Sequence, residues 1–393
     1  MKLTKLFGLT AAALSLAACQ STPQPSQTTE LKSSSGADSK VIVGKSAYNF
    51  EDKDIEVPAY FNTQGLQFCS YESIETDSRC PLAKKTIRIF FGDVNTSLSD
   101  QVQSSSKVFE QMHNSIGSFN SQALNNVLET QFAGVNRFRI LASDTSSISE
   151  MLKVIMEQEG ADSVANKLST KSAVSTDYVM KVDVIKTGDM LFGSKQSLFQ
   201  TSLDLTAGII DPYTSERLSY PNVGKIRVSN FDVRDKGDFT TVIANGNYYR
   251  GFNYTSEADV GSVLNEMASR SFDIMLSRLL TEMPATAQVL GIKDDRISLD
   301  RGQNAGILPN ETMVVFEYSA GFVEPVGVAK VNPSAQSAQG QIIRWKKAKT
   351  ADSIKQDAKD SIYRPNGDRK LFAVSVGVPA EYLKERSVWD DRG

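Results

Sequence analysis

The chain has 393 residues, 40% of them hydrophobic and 8% aromatic, with 43 basic against 46 acidic side chains and a formal net charge of -3. That length suits about two domains, and the near-balanced charge excludes nucleic acid as the main partner. The single histidine, His113, sits in a polar stretch with no nucleophile in a recognisable turn, which leaves a His-dependent triad without support.

Met1 to Ala18 carries Lys2 and Lys5 ahead of an apolar run, Leu6 to Ala18, that is too short to span a bilayer and reads as an export signal. Small residues stand directly before a cysteine in Leu16-Ala17-Ala18-Cys19, which resembles the bacterial lipobox. The resemblance implies lipidation of Cys19, and Gln20 rather than Asp after it implies the outer membrane, with the body facing the periplasm. An ordinary cleaved secretory signal that contains a cysteine is the alternative. From Cys19 to Lys40 the chain is rich in Ser, Thr, Gln and Pro; it buries too little to offset the entropy of folding and reads as a flexible tether.

Residues 41–84 form the next segment. Once Cys19 is set aside, Cys69 and Cys80 remain, and in an oxidising compartment they are expected to pair. A metal site is the alternative, but no histidine lies near and two thiolates do not complete a tetrahedral shell. Gly44-Lys45-Ser46 imitates the end of a phosphate loop, yet Ser39 stands where that loop needs its first glycine. No metal or cofactor motif is expected anywhere. The acidic pairs Asp294-Asp295 and Asp390-Asp391 read as solvated charge.

From Lys85 the pattern alternates. Thr86 to Val94 reads as a buried strand. Phe119, Ala123, Leu124, Val127, Leu128 and Phe132 then mark one face of a helix, with Gly134 as its stop. Arg137 to Leu141 reads as a strand. Ser147 and Glu150 suggest a capping box opening a helix that turns Ile148, Met151, Leu152, Ile155 and Met156 to the core and ends at Gly160. Strands are expected from Tyr178 and from Leu198, and a long helix over Glu257 to Met283 with Val260, Val263, Leu264, Met267, Ile274, Met275 and Leu279 inward, stopped by Pro284.

Over roughly Lys85 to Met283 this order resembles the CsgG family of outer-membrane lipoproteins that secrete curli subunits, a family related in fold to the N-terminal domain of TolB. "NRFRIL" is similar to the family's "GRF" strand, Ile148 to Gln158 to its following helix, and "LDLTAGIIDPYTSERL" to its strand and turn, although Ser215 replaces the expected glycine. The resemblance implies an α/β (α+β) domain of three layers over residues 85–283, assembly into a homo-oligomer, and secretion or appendage proteins as partners; the absence of a catalytic motif in the sequence reads as no enzyme.

Family channels give two hairpins per subunit to a membrane barrel, whose strands need about 9 to 11 residues. "KTGDMLFGSKQSL" is too short for one. Lys225 to Val233 with Phe239 to Phe252 has the reach for the other, but its first arm alternates badly. The expected role is an oligomeric periplasmic scaffold for assembly or export of a surface structure, curli- or flagellum-related; the alternative is a secretion channel. Val242, Ile243, Tyr248, Tyr249 and Phe252 are candidates for the oligomer interface, with ordinary core packing as the alternative.

Residues 284–345 carry short strands and a Gly302 to Gly306 loop, implying a small β-barrel-like domain that resembles the C-terminal barrel of the flagellar assembly protein T. Residues 346–393 read as a charged extension, helical or linking at first, with one late strand from Lys370 that needs a partner.

Overall fold

The computed structural model describes residues 41–385 except 60, 71–78, 99–118, 120, 142–144, 171–175, 193–196, 219–223, 235–239, 245–246, 252–256 and 368. Cys19, His113 and Phe252 lie outside the described residues, as do the signal and tether. The body is mixed α/β, with one mixed sheet and one closed barrel of six strands.

The mixed sheet begins with β1 (Thr86–Leu98), followed by α1 (Ser121–Val135), β2 (Arg139–Leu141), α2 (Thr145–Glu159), α3 (Ala161–Thr170), β3 (Tyr178–Phe192) and β4 (Ser197–Ile210). β5 (Arg217–Leu218), β6 (Lys225–Ser229), the pair β7 (Thr240–Ala244) and β8 (Asn247–Gly251), and the long α4 (Glu257–Glu282) complete the domain. Strand order is β2-β1-β3-β4-β5, with β6 also on β4; β1 runs parallel to β2 and β3, and the remaining pairs are antiparallel.

Alternation along the strands sets the core. Ile87 and Ile89, then Met180, Val182 and Val184, then Leu203, Leu205 and Ile209 face α1 and α4 and are buried with Leu124, Leu128 and Phe132 of α1. The next residue of that parity in β3 is Lys186, also buried; its Nζ donates to the Phe119 carbonyl at 3.0 Å, and burial pushes its pKa down. Every residue of α4 from Ser271 to Leu280 is buried. A helix apolar on more than one side needs cover on more than one side, and the chain ends supply it: Val41, Val43, Val378, Tyr382 and Leu383 join the same core.

Three local expectations need correction. α1 passes through Gly134 and stops at Asn136, which takes the left-handed conformation (φ 57°). Ser147 lies inside α2, two residues after its start, so it is not the cap. The core face assigned to α2 is also misplaced: Met151 and Ile155 are exposed, while Leu152 and Met156 are half-buried.

The barrel is built from β9 (Thr286–Lys293), β10 (Arg296–Leu299), β11 (Glu311–Ser319), β12 (Phe322–Pro333), β13 (Ala338–Trp345) and β14 (Arg369–Ser375), in the order β10-β13-β12-β11-β14-β9. It therefore runs past Trp345, where the sequence suggested a boundary, because β14 closes it between β11 and β9. The charged run before β14 forms α5 (Lys349–Asp360), whose Ala351, Ile354 and Ala358 enter the barrel core instead of staying solvated. A short helix, α6 (Ala380–Glu385), follows β14.

β11 is buried on both faces. Met313 and Val315 point into the barrel, and Val314, Phe316 and Tyr318 point outward to a second core formed with Ala47, Phe50, Ile55, Leu66 and both cysteines. The segment from Val41 thus wraps the outside of the barrel. It is pinned where Gly44 crosses Gly377: Gly44 N donates to Val378 O, and a Cβ on Gly44 would stand 2.7 Å from the Gly377 carbonyl carbon. Lys45 pairs with Asp54 at 2.6 Å, so the phosphate-loop look-alike is structural packing.

Candidate functional site

Cys69 and Cys80 are bonded, with their Cα atoms 4.9 Å apart, and both are fully buried against the outer barrel wall. Tyr318 Oη donates to Gln67 Oε1 and Lys370 Nζ to Cys69 O, tying the loop to β11 and β14. Closing so short a loop stabilises the fold by about 3 kcal/mol in the chain-entropy account. Cys69→Ser and Cys80→Ser should each lower stability by that order, and the double variant by no more than either single. Urea unfolding of the three variants checks this, and clearly unequal singles would assign the cysteines separate roles.

Just beyond the disulfide, the wrap, the α/β domain and the barrel meet around Arg137. Arg137 opens the stretch that leads into β2, and its guanidinium makes four hydrogen bonds across the junction. Nε and Nη2 donate to Gly306 O at 3.1 and 2.7 Å, Nη1 reaches Leu280 O of α4 at 3.4 Å, and Nη2 pairs with Glu311 Oε1 at 2.9 Å. Glu311 heads β11 and has no side-chain exposure; it also accepts from Leu308 N and from the Ser375 hydroxyl of β14. Gly306 has a φ of 69°, and a Cβ there would stand 2.5 Å from Arg137 Cα. Asn136 extends the same contact by donating to Gln303 O while accepting from Lys84. Arg301 Nη1 donates to Leu82 O of the wrap.

A cleft of about 230 Å³ opens at this meeting point, lined in part by Phe61, Lys85, Phe138, Tyr178 and Met283. With four hydrogen bonds to carbonyls and a carboxylate, Arg137 holds the two domains together. Among the described residues no group of three or more His, Cys, Asp and Glu is placed to hold a metal ion, and no helix is long and apolar enough to cross a membrane.

Asp300, beside Arg301, is buried, and burial pushes its carboxyl up from 3.8 to about 6 in spite of the Gln288 N–H that it accepts. In the unfolded chain it returns to the ordinary value. The folded state therefore holds the extra proton below pH 6, and the stability this group contributes is lost as pH rises from about 4 through about 6. Asp300→Asn removes that dependence. Its stability relative to wild type should rise between pH 4 and pH 7 by on the order of 1–3 kcal/mol; a difference that stays constant across urea titrations would contradict this.

The candidate interface residues fall on β7 and β8. The register sets Val242 opposite Tyr249 and Ile243 opposite Tyr248, with Phe252 beyond the described strand. The hairpin expected from Lys225 to Phe252 is not formed: β6 pairs with β4 in the main sheet, and Thr240 to Gly251 folds back on itself in arms of five residues. The β3–β4 ladder is longer, fourteen pairs from Val179↔Ile210 to Phe192↔Ser197, but its first half is core and β1 accompanies it to Gly188. Only Asp189 to Phe192 and the facing Ser197 to Gln200 project further. At the turn after β4, Ser215 has a φ of 59°, the conformation for which glycine is suited. Asp211 stabilises that turn by accepting from the N–H groups of Tyr213 and Thr214, which holds its carboxyl below the usual range.

Sequence reading missed the Arg137–Glu311 pair. Its partners lie 174 positions apart, and nothing local distinguishes a buried guanidinium from a solvated one. The usable signal was Gly306 followed by an apolar Ile307-Leu308, a tight turn entering a core. No protein-family model and no curated protein matches the chain.

Proposed function

We propose that this chain is a lipid-anchored, non-catalytic scaffold at the periplasmic face of the outer membrane, and that it assembles as a homo-oligomer to support the assembly or export of a surface structure. The observation that carries the reading is the β7–β8 ribbon, which among the described residues pairs with no other strand. A scaffold that assembles through its α/β domain needs such an element.

The CsgG-like, three-layer form of that domain is part of the proposal. Right-handed crossovers from β1 to β2 and back over β1 to β3 would set α1 and the α2–α3 pair on opposite faces of the sheet. Arms of five residues in β7–β8, and of four beyond β1 in β3–β4, fall below the 9 to 11 that a membrane strand needs. They favour the scaffold over the channel. The turn at Ser215 supports the same likeness, since a residue held at positive φ stands where the family has glycine.

The test is imaging and native mass of the detergent-extracted protein together with fractionation of Cys19→Ser. Discrete closed oligomers, and a variant that leaves the membrane fraction or keeps its signal uncleaved, are expected. A monomer in detergent sinks the assembly reading, and a Cys19→Ser chain that still sediments with outer membrane after a carbonate wash sinks the anchor.

A further inference from the structure

The longest open strand edge among the described residues belongs to β1. On one side β1 pairs with β3 as far as Leu98; on the other, β2 covers only Thr86 to Arg88. From Ile89 to Leu98, about 33 Å of strand, no described strand lies against that side. Soluble proteins blunt such edges with lysine, proline, bulges or a covering element. This stretch, "IFFGDVNTSL", has neither lysine nor proline and a single charge, Asp93. Its one protective feature is the register shift between Phe91 and Val94.

At the opposite margin of the sheet, beside β4, stands the β7–β8 ribbon. A two-stranded ribbon is marginal on its own, and this one is built from Thr, Val, Ile and Tyr, residues that favour strands and gain stability from a further neighbour. Its single charge is Arg250, opposite in sign to Asp93. The two incomplete elements are separated by β3 and β4, so neither completes the other within one chain.

We propose that the open edge of β1 receives the β7–β8 ribbon of a second copy of this chain, so that the sheet continues from one subunit into the next. This rests on the assembly reading above and adds which surfaces meet. The contact is heterologous: every copy offers one open edge and one ribbon, and repetition of the same step closes a ring or extends a filament. Main-chain hydrogen bonds supply the attraction, as in other strand additions, and the Asp93–Arg250 opposition favours this partner over a like-charged edge.

Cysteine cross-linking of the full chain tests it. Asn95, which is exposed on β1, is changed to cysteine and combined in turn with cysteine at Thr241, Val242, Tyr249 or Arg250; the Cys69–Cys80 bond is buried and closed to exchange. Mild oxidation should convert at least one of these combinations into a ladder of covalent dimers, trimers and larger species, while each single substitution stops at dimer or monomer. Native mass is measured on the same samples before oxidation. Oligomers of wild-type mass without a ladder in any combination overturn the edge contact and leave the assembly reading standing. Monomers overturn both.

Discussion

Arg137→Met should lower the stability of the protein by about 3–5 kcal/mol, the range for stripping one partner from a buried ion pair. The loss comes less from the missing attraction than from what stays behind. Glu311 keeps its charge in a site with no side-chain exposure, supported only by Leu308 N–H and the Ser375 hydroxyl. Gly306 O and Leu280 O lose their donor at the same time. Glu311→Gln in the Arg137→Met background removes the stranded charge and should recover a large part of the loss, whereas Glu311→Gln alone should destabilise. Chemical unfolding of the four proteins gives the cycle directly. Additive losses would mean that the pair does not act as a unit.

Gly306→Val acts on the same joint from the backbone. A β-branched residue is strained at a φ of 69°, and its Cβ would stand 2.5 Å from Arg137 Cα and 2.7 Å from Arg137 N, atoms that no rotamer change can move aside. Strain and displacement together should amount to about 3–5 kcal/mol. The barrel and the α/β domain each keep a core that does not include Gly306. The sharper expectation is therefore a change of cooperativity: calorimetry of the variant should resolve two transitions in place of one. A single transition at the wild-type temperature would show that the loop can move off Arg137 without consequence.

Much of the order of elements was readable because it depends on local periodicity. The seven inward positions named for α4 are all buried, since a 26-residue helix leaves little doubt about its phase. The cysteine pairing was readable from count, since two cysteines remain once Cys19 is set aside. α2 was misread for an equally physical reason: Met151, Leu152, Ile155 and Met156 recur at helical spacing, but periodicity gives the width of an apolar stripe and not whether anything lies against it. Thr240 to Gly251 was misread because Asn245-Gly246 is a two-residue turn signal that competes with pairing to Lys225–Ser229, and the nearer partner forms at lower loop entropy. β14 needed a partner that only the closed barrel supplies, on β11, where Phe316 stands opposite Phe372. The joint was the least readable part, as charge burial at Arg137 and Glu311 arises only when two domains meet.

The crossing of Gly44 over Gly377 bears on how this body takes a pull. Residues before Val41 lead into it, and within a few positions the chain is bonded to three separate parts: Ile42 N to Ser277 Oγ on α4, Gly44 N to Val378 O after β14, and Ala47 N to Thr312 Oγ1 on β11. Tension arriving from the N-terminal side is divided between the sheet domain's longest helix, the segment that follows β14 and barrel strand β11 before it can reach the disulfide loop.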